Sequence, residues 1–198
     1  PFLFIDAEGR PSGFDLERAV ALCAEIGSEC RFVNERFDRI IPALAASEYD
    51  FAVAGFSVTE ERERQVDFTR RYFRTHSVFI TVPGRVDGLG SGQLLGKRLG
   101  TQQGSIQAAY LKSEYPGSEL LLAGTFGELI DWLRSGKVDL AMVGGLPAYA
   151  LLQSREGIGL ELIGDPFRGS VEDSACIAVN RRASGLKERL NEALERIY

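Results

Sequence analysis

Histidine is nearly absent from this chain and cysteine is scarce: there is one His, His76, and three Cys, none spaced as C-x-x-C. That pattern excludes a structural zinc site and a thioredoxin-type redox centre, which need clustered ligands or a paired thiol. Basic residues are also short, with 23 Lys and Arg against 28 Asp and Glu and a formal net charge of -5. A nucleic-acid surface would need clustered Lys and Arg instead. No apolar run comes near the roughly 18 residues of a membrane-spanning helix. The one Gly-rich stretch, PGRVDGLGSG, lacks the lysine and the strand–helix setting of a phosphate loop. No leader precedes Pro1, which a mature or trimmed chain would share.

What is present fits a soluble globular protein: 44% hydrophobic and 26% charged residues in 198, enough for one large domain or two small lobes. GFDLERAVALCAEIG reads as a helix, with Leu16, Ala19, Val20, Cys23 and Ile26 at helical spacing and Asp15 as N-cap. CRFVNERF reads as a strand, Arg39 to Ser47 as a helix with Pro42 near its first turn, and DFAVAG (Asp50–Gly55) as a short buried strand. Ser77 to Val82 is strand-like. A second series follows: strands at Arg98–Thr101, Leu120–Ala123 and Val138–Val143, with helices at Ser105–Lys112 and along Phe126, Leu129, Ile130 and Leu133. Ser174–Val179 is strand-like, and a helix opening at Ser184 carries Leu186, Leu190, Leu194 and Ile197. Alternating strands and helices predict α/β lobes with mostly parallel sheets. Cys23 and Cys30 join a helix end to a strand start, and are either a bridge across a short loop or two buried thiols. Cys176 reads as a buried single thiol, and Trp132 as packing beside the apolar stripe.

An internal echo organises the chain. IIPALAASEYDFAVAGFS resembles LIDWLRSGKVDLAMVGGLP: each runs helix, Ser, polar turn, Asp, four strand residues and Gly. Two similar lobes, each presenting a strand end to a shared cleft, account for it. The first such strand leads into AGFSVTEERERQVDFT. Thr59 is a good N-cap, and Glu60 and Glu61 suit a helix start. Arg62 suits it less, unless an anion binds there. A guanidinium grips a carboxylate in two places, and Ser57 and backbone N–H groups can add donors. The competing reading of Arg62 is one more surface charge beside Arg64.

FDRIIPALAASEYDFAVAGFSVTEERERQVDFT resembles the signature of type II periplasmic solute-binding proteins, in particular the lysine/arginine/ornithine- and histidine-binding proteins of ABC importers. The likeness runs through PFLFIDAEGRPSGFD, the Cys23/Cys30 pair and GKRLGTQQGSIQAAY. It implies an α/β fold of two lobes, with a ligand cleft between them that closes on a hinge at two crossing segments. Lobe 1 would be residues 1–76 with 177–198, and lobe 2 residues 77–176. By position, Phe37 would pack on the ligand's side chain and Gly55 would offer its carbonyl to the ammonium. Ser57 and Arg62 would hold the α-carboxylate. From lobe 2, Gln102, Ser105 and Gln107 would contribute at a helix N-terminus. The resemblance also implies a Cys23–Cys30 disulfide.

The chain departs from the family at Gly144, where an Asp usually pairs with the ligand's α-ammonium. Neither Gly144 nor Gly145 can do so, and an ammonium desolvated without a counter-charge costs several kcal/mol. Weak amino-acid binding, a displaced acid such as Glu172 or Asp173, or a carboxylate ligand without the amine are the alternatives. Relative to the family the stretch looks truncated at both ends, so reduced stability or self-association is expected of it alone. The resemblance implies a small-molecule ligand (an amino acid or other carboxylate), a membrane ABC permease as partner, a periplasmic or extracellular location, and no cofactor, metal, nucleic acid or catalytic residue. The same fold also serves as a sensor domain of receptors and, in a few cases, as a dehydratase.

Overall fold

The structure, a computed structural model, describes residues 4–5, 11–167 and 174–197. The chain divides into two units. One comprises Pro1–Glu35, Arg39–Arg74 and Val171–Tyr198; the other comprises Arg36–Asp38 and Thr75–Ser170.

The chain opens with the short strands β1 (Phe4–Ile5) and β2 (Pro11–Ser12), then α1 (Phe14–Glu25) and α2 (Phe37–Ala45). Next come β3 (Phe51–Phe56), α3 (Glu60–Glu63), β4 (Asp67–Phe68) and β5 (Phe73–Arg74). The second unit carries β6 (Ser77–Thr81), α4 (Ser91–Leu94), β7 (Arg98–Gln102), α5 (Ile106–Glu114) and β8 (Glu119–Ala123). It continues through α6 (Phe126–Ser135), β9 (Leu140–Gly144), α7 (Gly145–Leu152) and β10 (Glu161–Phe167). The chain then returns to the first unit with β11 (Ser174–Val179) and α8 (Leu186–Ile197).

In the first unit β11 is buried at every position and lies between β3 and β4, antiparallel to both and to β5. Leu22 of α1, Ile26 just past its end, and Leu190, Ala193 and Leu194 of α8 pack with Ile177 and Val179 into one core. The apolar spacing of α1 and α8 therefore faces the apolar stretch Ala175–Val179 of a strand buried throughout. In the second unit the strand order is β10-β6-β9-β7-β8. Successive residues of β6 feed opposite cores: Val78 and Ile80 join Leu129 and Leu133 of α6, whereas Phe79 joins Leu99, Leu111 and Met142. A strand covered on both faces needs no polar alternation, which is why the VFI centre of β6 and LAMVG of β9 read as apolar runs.

The sheets are less parallel than alternation predicts. Parallel pairing occurs for β7 with β8 and β7 with β9, where α5 and α6 supply the crossovers. β6 and β10 pair antiparallel, as does every described strand pair of the first unit. CRFVNERF forms no strand: residues 28–36 have no regular structure and Phe37 opens α2. No strand pairs with this segment among the described residues, and Phe32 and Val33 are 46% and 55% exposed, so it has neither a ladder nor an apolar face to bury. Asp15 does not cap α1; Gly13 holds that position and Asp15 is buried in the first turn. Cys23 and Cys30 are bonded to each other, tying the end of α1 to the irregular segment, and Cys176 is a buried free thiol. Trp132 packs against the α6 core with Lys137 Nζ 3.6 Å from its ring centre.

Candidate functional site

In the first unit the proposed site residues follow β3. The register shows why the chain turns there. Ala52 pairs with Ala178 and Phe56 with Cys176, so β3 advances further than β11 and bulges between those pairs. Gly55 lies in the bulge with φ of 60°, in the left-handed region that glycine enters without strain. Ser57 follows and is 4% exposed. Thr59 then caps α3, its hydroxyl accepting from the Arg62 N–H at 3.3 Å. That cap sets the direction in which Arg62 leaves the helix. Its side chain is 9% exposed, donates to the Ser57 carbonyl at 2.7 Å and lies 5.2 Å from the Phe56 ring centre. Burial pulls its pKa down to about 10, with Glu61 opposing, so the guanidinium stays charged at neutral pH. Arg62 is thus a buried, anchored cation rather than a solvated one. Its neighbour Arg64 is exposed and meets Glu60 one turn away.

In the second unit, Gln102, Ser105, Gln107 and Gly144 gather where β7 and β9 end together. Gln102 closes β7 and Gly144 closes β9. Ser105 caps α5, accepting from the Ala108 N–H at 3.2 Å, and shares a 3.3 Å hydrogen bond with Thr101, whose hydroxyl also donates to the Met142 carbonyl. Gln107 Nε2 donates to Ser77 Oγ at 2.9 Å, and Ser77 pairs in register with Gly144. Phe37, at the start of α2, is half-buried. The two glycines of VGGLP differ. A Cβ on Gly145 would meet His76 Nε2 at 2.8 Å and the His76 carbonyl at 3.1 Å, so a larger residue there would have to displace His76. A Cβ on Gly144 would meet only the Pro147 ring at 3.6 Å, ordinary contact. His76 also bonds Tyr149 Oη at 2.8 Å. Glu172 and Asp173 lie outside the described residues.

The profile of the bacterial extracellular solute-binding proteins, family 3, matches residues 1–198. The chain belongs to that family. This solute-binding protein is 31% identical to the putative ABC transporter arginine-binding protein 2 of Escherichia coli K12, over all of the chain and 80% of that relative. Two solved structures of an ancestral arginine-binding protein, one bound to glutamine and one to arginine, match at a TM-score of 0.91 and 32% identity. They cover the whole chain and 86% and 87% of their own lengths. Curated relatives also include a histidine-binding periplasmic protein of Salmonella typhimurium, so the likeness to arginine- and histidine-binding proteins holds. These relatives carry names of amino-acid-binding proteins.

The motif gave no sign that Asp15 is a buried acid. Asp15 is 6% exposed, with the Tyr72 hydroxyl 3.5 Å from its Oδ1. Burial raises Asp15 to about 7, against the opposing pull of Arg18 and of Tyr72's hydrogen bond. The signal was the acid in GFDLE, an ordinary choice for a helix start, which hid the fact that it faces inward.

Proposed function

We propose that this protein captures a small polar carboxylate, an amino acid or close derivative, and delivers it to the membrane permease of an ABC importer on the outer side of the cytoplasmic membrane. The observation that carries the reading is Arg62: a charged guanidinium, buried and braced on the Ser57 carbonyl, immediately beyond a bulged strand end. Such a group binds a carboxylate at two points, and its desolvation is best offset by an anion. Gly55 and Ser57 flank it as backbone and hydroxyl partners. Gln102, Ser105, Gln107 and Gly144 are the second unit's contribution, and Phe37 packs on the ligand's side chain. In this reading the protein performs no chemistry; binding alone is its task. The names of its relatives, arginine-binding and histidine-binding, support a nitrogen-rich amino acid as the first ligand to try. No helix among the described residues is long and apolar enough to cross a membrane.

A thermal-shift panel of amino acids and simple carboxylates tests this. A ligand at a hundred times its dissociation constant adds about 2.7 kcal/mol of stability. Arg62→Ala is expected to abolish that shift while leaving the unliganded protein folded. A shift of unchanged size in Arg62→Ala removes the carboxylate role from Arg62.

A further inference from the structure

Ser77 stands at a junction of the second unit. The chain enters that unit at Thr75 and leaves it after Ser170, and β6 and β10 are the strands next to these two crossings. Their ends meet at Ser77, which opens β6 and pairs in register with Phe167, the last residue of β10. On its other side Ser77 pairs with Gly144, the last residue of β9. It is 2% exposed.

Helix α5 is fastened across these strand ends. Gln107 and Tyr110 are three residues apart on it and share a face. Gln107 Nε2 donates to the Ser77 hydroxyl oxygen at 2.9 Å. The Tyr110 ring lies against the Phe167 ring, with centres 4.2 Å apart and planes inclined at 42°. One turn of helix therefore holds the first residue of the entering strand and the last of the leaving one. A glutamine side chain is rich in rotamers, and ordering it at the moment of binding costs affinity. An acceptor that already holds the amide removes that cost, and a buried hydroxyl on a strand paired on both sides is a rigid acceptor.

We propose that Ser77 is a positioning residue: its hydroxyl holds the Gln107 amide ready for the ligand, at the point where α5 fastens the two crossing strands. That Gln107 meets the ligand rests on the proposed function; the hold of Ser77 on Gln107 does not.

The test reads the Gln107 side-chain amide in 15N-labelled full chain, and L-arginine affinity by titration calorimetry. In the unaltered chain an NOE is expected between that amide and the Ser77 β protons. In Ser77→Ala the amide resonances should move, their exchange with solvent should quicken by about tenfold or more, and affinity for L-arginine should fall by about tenfold, the weight of one hydrogen bond. A serine that merely stabilises its strand would cost the same affinity whether or not Gln107 is present, so a cycle with Gln107→Ala separates the two roles. In the Gln107→Ala background, Ser77→Ala is expected to change affinity by less than about twofold. Equal losses in both backgrounds overturn the proposal, as does an unmoved Gln107 amide in Ser77→Ala. Absence of the NOE in the unaltered chain overturns it without any variant, which covers the case in which Ser77→Ala folds poorly. A shifted amide with unchanged L-arginine affinity overturns the readiness for ligand. Arg62→Ala is the control for the reading beneath. If the chain ignores L-arginine, or if Arg62→Ala binds it undiminished, the proposed function fails, while the Gln107 amide still decides the hold.

Discussion

Arg62 and Asp15 are two charged residues that the fold buries, and burial moves each toward its neutral form. Arg62 remains a cation at neutral pH because its shifted value, about 10, is still high. Asp15 does not escape so easily: burial raises it from 3.8 to about 7, more than Arg18 beside it and the Tyr72 hydrogen bond lower it. The groups around it are Arg18 on α1, Tyr72, and the Cys176 thiol on β11, which faces Tyr72. A carboxyl whose folded value exceeds its unfolded one stabilises the fold fully below the unfolded value, and that contribution is lost as pH rises to the folded value. Urea midpoints are therefore expected to fall between about pH 4 and 7, by up to about 4 kcal/mol of stability from this group. Asp15→Asn should flatten that slope and be the more stable form at pH 8. An unchanged slope in Asp15→Asn would assign the titration elsewhere. Gly144 makes the complementary case, since it has room for a side chain and an ordinary backbone angle, φ of -62°. Gly144→Asp should cap α7 and supply the acid that family resemblance leads one to expect there, raising affinity for α-amino acids by about tenfold or more over the amine-free acids. Titration calorimetry of both ligand types reads this directly. Equal affinities in Gly144→Asp would show that the ligand's amine is held somewhere else.

Among the elements, those that bury a regular face were legible and those that depend on partners were not. β6, β9 and β11 were visible as apolar runs because both their faces are covered, β3 as a half-buried apolar run, and α6 and α8 as stripes because their burial follows the helical period. β10 escaped, since ELIGDPF contains both Gly and Pro; it is an edge strand with a register shift, the one setting where proline is accommodated. The segment after Cys30 has strand residues but nothing to pair with among the described residues, so propensity lost to the missing ladder. The Asp139 of the internal echo has a local role that spacing could not reveal. Burial would raise its pKa, but the Arg98 side chain and N–H both donate to its carboxylate and bring the net value down, fastening β7 to β9. Asp50, its counterpart, is exposed and supplies its carbonyl to the Asn180 N–H. The disulfide is the chief constraint on the irregular segment. Replacing Cys23 and Cys30 by Ser is expected to destabilise the first unit by about 2–3 kcal/mol, from the freed loop entropy of the unfolded chain. Denaturant midpoints, read against the reducing-agent response of the unaltered chain, check it; no loss in either would mean that the bridge constrains nothing.

At the scale of the whole molecule, family and fold were readable from one motif because FDRIIPALAASEYDFAVAGFSVTEERERQVDFT joins a helix, a strand end and the Arg62 turn in a single continuous stretch. The ligand is less readable because the contacts proposed for its side chain come from scattered positions, Phe37, Gln102 and Gln107 among them, whose types tolerate many partners. What unites the account is capture of a carboxylate by Arg62. Titration calorimetry with L-arginine and with agmatine, which is the same molecule without the carboxylate, tests that claim with least ambiguity. L-arginine is expected to bind at least about thirtyfold more tightly than agmatine, and Arg62→Ala to erase the difference. Agmatine binding as tightly as L-arginine would contradict it.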